Sequence, residues 1–170
     1  AATQIANALG ANVVAVDIND QNLEMAKKMG AVATVNASSG NVGEEVVEIT
    51  GGGAHISVDA LGIATTCMNS VMSLRSRGRH LQIGLTTQAE KGFIALPIDV
   101  MVAREIEFVG TIGMQPQRYP AMLNMVKSGK LTPGAMVTNV IGVEEAASVI
   151  DSMHGFGNVG TTVVKWQVNR

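Results

Sequence analysis

Short runs rich in β-branched residues alternate along this chain with stretches of helical periodicity, and that alternation limits the folds open to it. "NVVAVDI" (12–18), "AVATVN" (31–36), "HISVDAL" (55–61), "GRHLQIGL" (78–85) and "EIEFVGTIG" (105–113) read as strands. Residues 1–9, 19–30, 40–50, 64–76 and 97–104 read as the helices around them. The first helix sets Ile5 and Leu9 on one face, and Asn19 or Asp20 is placed to cap the second. Strands separated by helices pair in parallel through right-handed crossovers, so the expected class is α/β with a doubly wound parallel sheet. The rhythm weakens after residue 113, which divides the chain into 1–113 and 114–170. The second part reads as a helix at 116–131, a loop or short strand at 132–143, a helix at 143–153 and a last strand at 161–166.

Composition supports a packed core and excludes several function classes. Hydrophobic residues make up 46% of the 170 and aromatics 3%, so Val, Ile, Leu, Ala and ten Met must fill the interior. Continuous apolar strands of this kind are expected to be buried on both faces. The net charge of −2 comes without a basic patch, so no nucleic acid is expected as a partner. No apolar run approaches the roughly 20 residues that span a bilayer, so no membrane association is expected. A single cysteine rules out an intramolecular disulfide and fits a reducing, cytoplasmic setting. Asn36-Ala37-Ser38 matches a glycosylation acceptor, which in that setting is a chance match.

Asp17 is the first residue with chemical content. A carboxylate at the carboxyl tip of such a strand can accept hydrogen bonds from an adenosine ribose and repel a 2′-phosphate. No arginine follows in residues 18–22, which favours NAD over NADP. The plain alternative is that Asp17 only starts the turn and caps the next helix. Glycines recur at three further strand tips, in "DALG" (59–62), "QIGL" (82–85) and "GTIG" (110–113). Ligands of doubly wound sheets lie along that edge. A literal G-x-G-x-x-G at 155–160 follows a helix and precedes a strand, the reverse of a phosphate-binding turn, and reads as a plain turn. His55, His80, His154 and Cys67 are not at zinc-ligand spacing, and Cys67 sits in a helical pattern as a small hydrophobe. The single tyrosine, Tyr119, has no lysine four residues on, and no Gly-x-Ser-x-Gly elbow or P-loop is present.

The order of blocks "Q-I-A-x-A-L-G-A-x-V-x-A-V-D", "K-x-x-G-A", "G-G-G-A-H-I-S-V-D-A-L-G", "G-R-H-L-Q-I-G-L", "P-I-D-V-M-V-A-R-E-I-E-F-V-G-T-I-G" and "M-V-K-S-G-K-L-T-P" resembles the C-terminal half of zinc-dependent alcohol dehydrogenases, of the medium-chain dehydrogenase/reductase superfamily. The resemblance covers essentially the whole chain. It implies a Rossmann-type domain and an NAD-dependent oxidoreductase that interconverts an alcohol and an aldehyde or ketone. It implies that Asp17 holds the adenosine ribose and Ile18 lines the adenine site. Ala60, Leu61 and Gly62, with Ile83, Gly84 and Leu85, would lie beside the cofactor, and Thr111 and Ile112 would approach the nicotinamide. It implies that residues after about 113 return to a catalytic domain, and that the "EIEFVGT" strand pairs across a two-fold axis in a homodimer or tetramer.

The resemblance also implies a first strand, a glycine turn and a zinc-binding catalytic domain ahead of Ala1, so a fragment without catalytic or metal-ligating residues of its own is expected. The first strand is central in the 3-2-1-4-5-6 order, so its neighbours would expose apolar faces and open edges until something filled the place. Two alternatives remain: a zinc-free quinone or enoyl reductase of the same superfamily, which usually prefers NADPH and a small residue where Asp17 stands, and a nucleotide-binding module without chemistry.

Overall fold

The computed structural model describes residues 1–38, 40–113, 115–153 and 159–166. They form α1 (Ala2–Ala8), β1 (Val13–Asp17), α2 (Asp20–Lys28), β2 (Ala31–Asn36), α3 (Val42–Thr50), β3 (Ala54–Asp59), α4 (Ala64–Met72), β4 (Leu74–Gln82), α5 (Ile98–Ala103), β5 (Glu107–Gly110), α6 (Tyr119–Lys127), β6 (Val137–Ile141), α7 (Ala146–Ser152) and β7 (Thr161–Val164). Every strand pairing among them is parallel, as β2-β1, β3-β4-β5 and β6-β7. The α/β class with parallel crossovers therefore holds. In the order 3-2-1-4-5-6 the third and second strands pair as β2-β1 do, and the fourth to sixth pair as β3-β4-β5 do. β1 and β3 each keep one edge without a strand partner among the described residues.

The chain divides into two compact units. The first comprises residues 1–36 and 116–170. Here Asn19 caps α2 by accepting from the Gln21 amide at 2.8 Å, and Gly30 ends that helix region with φ +101°. Leu23, Met29, Val35, Leu131 and Ile141 are buried. The face of α1 differs from the expected one, for Ile5 and Leu9 are exposed and Gln4 is buried. The Gln4 amide donates to the Thr132 carbonyl at 3.2 Å and contacts the Met29 sulfur at 3.4 Å, while the Thr132 amide donates back at 3.3 Å. A side chain that satisfies its whole amide inside outweighs the apolar faces of Ile5 and Leu9. Of the G-x-G-x-x-G at 155–160, residues 155–158 lie outside the described ones. Gly160 sits just before β7 with φ +74°.

The second unit spans residues 37–115. Asn41 caps α3, which buries Val42 and Val46, and Gly51 ends it in the left-handed region. The helix expected over 64–76 stops at Met72, and residues 74–78 join β4 instead. Tertiary bonds capture that backbone: the Ala54 amide donates to the Ser73 carbonyl at 2.9 Å and the Arg77 amide to the Arg104 carbonyl at 2.7 Å. The Arg104 guanidinium donates to the Met72 and Leu74 carbonyls at 3.3 and 3.1 Å.

The burial of β3 corrects a second expectation. Ile56 and Val58 are exposed, as is Val16 in β1, whereas Ser57 and Asp59 are buried. The packed face of β3 is therefore its polar one. Val71, Leu74 and Cys67 supply the apolar core beside it. Leu74→Ala is expected to cost about 2–5 kcal/mol in urea unfolding. Ile112→Ala, at a site 86% exposed, is expected to change stability by less than about 0.5 kcal/mol.

Candidate functional site

In the first unit the candidate site is the tip of β1. Asp17 is the last strand residue and is half-buried, while Ile18 beside it is 70% exposed. Asp17 Oδ1 accepts from the Asn19 amide at 2.9 Å, and both carboxylate oxygens lie 3.3 Å from Asn22 Nδ2. The plain alternative for Asp17 is thus half met: it starts the turn, but the helix cap is Asn19. Asn22, in the first turn of α2, was not singled out in the sequence. Its signal is the spacing Asp17-x-x-x-x-Asn22, which returns an amide over the strand tip. With the Asn22 amide on both oxygens the carboxylate plane is fixed, and each oxygen keeps acceptor capacity for a hydroxyl.

In the second unit three strand tips converge through backbone contacts. The Ile83 and Gly84 amides both donate to the Asp59 carbonyl, at 2.9 and 3.0 Å, and the Thr111 amide donates to the Gln82 carbonyl at 3.0 Å. Ala60, Leu61 and Gly62 follow β3, and Ile83, Gly84 and Leu85 follow β4, in this one cluster. Glycine is required at two of the positions. A Cβ on Gly62, which has φ +90°, would strike the Leu85 carbonyl, and one on Gly84 would strike the Gly62 amide. Leu61, Ile83, Leu85 and Ile112 present apolar side chains to solvent at this rim.

The Asp59 carboxyl anchors the rim from inside. Its Oδ1 accepts from the Leu61 amide at 2.9 Å, the Gly62 amide at 3.1 Å and the Thr66 hydroxyl at 3.0 Å. Its Oδ2 accepts from Gln82 Nε2 at 2.9 Å. Burial is the largest single influence on this carboxyl and pushes its pKa up. The bonds from Gln82, Gly62, Leu61 and Thr66 together outweigh it and hold the group below its ordinary value. The Cys67 thiol, in contrast, is pushed up by burial and by the nearby Asp59 charge, so it stays an inert thiol.

No cluster of three His, Cys, Asp or Glu able to hold a metal exists among the described residues. His55 Nε2 is engaged by Arg75 at 2.8 Å, and His80 is wholly buried with both ring nitrogens bonded. These side chains do not fit a zinc site.

A family model described as zinc-binding dehydrogenase matches residues 1–128. The chain belongs to the zinc-binding dehydrogenase family. Among curated proteins, an NAD-dependent alcohol dehydrogenase of Sulfurisphaera tokodaii is 31% identical over 96% of the chain and 46% of its own length. An alcohol dehydrogenase of Cupriavidus necator is 29% identical over 82% of the chain and 38% of its own length. A crystal structure of an NAD-dependent alcohol dehydrogenase superposes with a TM-score of 0.85 at 27% identity, covering 98% of the chain and 47% of that protein. The chain spans about half the length of the relatives it matches. Its helices and parallel strands share in part the Rossmann-type α/β fold of that alcohol dehydrogenase.

The four-donor shell around Asp59 gives a signed pH dependence. A carboxyl held low in the folded state stabilises it above the ordinary carboxylate range, and that contribution is lost as pH falls through the folded value. Stability should therefore fall as pH drops below about 4. Asp59→Asn is expected to cost about 1–3 kcal/mol at neutral pH and to flatten this acid limb, read by urea unfolding between pH 7 and pH 2.

Proposed function

We propose that this chain is the cofactor-binding part of an NAD-linked alcohol dehydrogenase, passing hydride between a small alcohol and the nicotinamide ring. The observation that carries the reading is the Asp17 carboxylate, clamped by Asn22 at a strand tip with no cation among residues 18–22. A fixed carboxylate takes the two ribose hydroxyls as donors and repels a 2′-phosphate. Ile18 supplies an apolar wall for the adenine. The glycine tips at 60–62 and 83–85 lie beside the cofactor, with Thr111 and Ile112 toward the nicotinamide. Bound NAD supplies the hydride chemistry, and this chain contributes binding and orientation. Any zinc belongs to residues other than those described here.

Three further assignments accompany this reading. Residues 114–170 form the segment that returns to a catalytic domain. β5 mediates a homodimer or tetramer: it lies at the end of its sheet, and Phe108 and Val109 are each 39% exposed. The setting is cytoplasmic, which suits the reduced, buried Cys67. Among the described residues no helix is long and apolar enough to cross a membrane.

Titration by fluorescence tests the cofactor choice. NADH is expected to bind about tenfold or more tightly than NADPH, and Asp17→Ala is expected to erase most of that difference by weakening NADH. Equal affinities in the unaltered protein would reject the reading. So would an Asp17→Ala variant that kept the full preference.

A further inference from the structure

The packed face of β3 and β4 carries a continuous polar ladder that the cofactor reading leaves unused. Parallel register sets Ser57 opposite His80 and Asp59 opposite Gln82, and sets Phe108 of β5 opposite His80 on the other side. His80 is completely buried, and its ring lies 4.6 Å from that of Phe108. Its Nδ1 is 3.1 Å from Ser57 Oγ and 3.2 Å from Ser70 Oγ on α4, and its Nε2 is 2.9 Å from Gln82 Oε1. Gln82 Nε2 in turn donates to Asp59 Oδ2 and to the Gly84 carbonyl, both at 2.9 Å. No buried side-chain nitrogen or oxygen among the described residues is left without a partner.

The chemistry of the partners gives this ladder a direction. The Asp59 carboxylate and the Gly84 carbonyl only accept, so the Gln82 nitrogen faces them and its Oε1 faces the ring. Oε1 only accepts, so His80 carries its proton on Nε2. With its proton on Nε2 the ring offers one lone pair at Nδ1, which the Ser57 and Ser70 hydroxyls share at 3.1 and 3.2 Å. A buried Ser–His contact also suggests a nucleophile and its base. Ser57 is 8% exposed and His80 not at all, however, so neither meets a substrate. From the ring the ladder runs through Gln82 to the rim, at the Leu61 and Gly62 amides through Asp59 and at the Gly84 carbonyl directly.

We propose that His80 and Gln82 are positioning residues: the Nε2–H of His80 orients the Gln82 amide, and that amide holds the 60–62 and 83–85 tips at the spacing that binds the cofactor. The role rests on the NAD reading for its consequence, though not for its geometry. Gly62 and Gly84 stand in close backbone contact, and the Gln82 amide bonds both sides of that contact, Gly84 at its carbonyl and the 61–62 turn through Asp59. Low tolerance of this kind makes an outlying hydrogen-bond donor felt at a binding site.

Two substitutions of similar bulk separate positioning from space filling. Gln at position 80 restores an amide donor near the place of Nε2, whereas Met fills the volume with no donor. His80→Gln is expected to keep the NADH Kd within about threefold of the unaltered protein, and His80→Met to weaken it about tenfold. Hydrogen exchange at the Leu61 and Gly62 amides should stay slow in His80→Gln and speed up roughly tenfold in His80→Met. Gln82→Met should match His80→Met in both readouts, and the imidazole nitrogen shifts should report the Nε2–H tautomer. If His80→Met binds and exchanges like the unaltered protein, or the tautomer is Nδ1–H, the proposal falls. An unaltered protein that fails to bind NADH would reject the cofactor reading, while the exchange rates would still decide the positioning role.

Discussion

The second unit depends on one buried carboxylate. Asp59 ends β3, faces inward, and carries a negative charge at 3% exposure. A charge in that position is costly unless it is fully bonded, and its four donors come from the loop after β3, from α4 and from β4. Satisfying it therefore fixes the turn into α4, the place of α4 over the sheet, and the end of β4 at once. The polar face of β3 follows from the same requirement. Ser57 and Asp59 both need partners, and the β4 register supplies His80 and Gln82 directly opposite them.

The first unit meets its polar requirements more locally. Asp17, Asn19 and Asn22 satisfy one another within six residues of chain. Gln4 departs furthest from this pattern, reaching 128 residues along the chain to Thr132 and tying the α1 helix to the segment after α6. A local cluster of this sort needs little from the remainder of the fold. That is why Asp17 can be aimed at a ligand by a handful of neighbours, whereas the rim at Gly62 and Gly84 requires a ladder across three strands and a helix.

These two kinds of satisfaction explain which parts of the structure were legible beforehand. The strand at 31–36, the helix from Asp20 with its Asn19 cap, and the end of that helix region at Gly30 depend on residues within a few positions. They were readable for that reason. The length of α4 was not, because residues 73–76 continue the helical pattern until Ala54 and Arg104 capture their backbone from a distance. The face of α1 was misjudged because hydropathy ranks Ile5 and Leu9 above Gln4. Nothing within the helix reveals that Thr132 will accept and donate to the amide. Asp17 and the three glycine tips were visible as a pattern at strand ends. His80 and Gln82 were visible only as polar residues two apart in β4, a signal that means nothing until the opposite strand is known.

By itself the sequence determined the succession of strands and helices, and with it a parallel α/β fold. Periodicity, caps and glycine stops are short-range properties of a chain. It also determined the acid at the tip of β1 and the glycines that let the β3 and β4 tips touch. Tertiary structure decided which face of each element is packed, where α4 yields to β4, and how His80, Gln82 and Asp59 join into one directed ladder. Those outcomes depend on hydrogen-bond partners more than 20 residues away, as with Asp59 and Gln82, and a buried polar group takes its conformation from its partner.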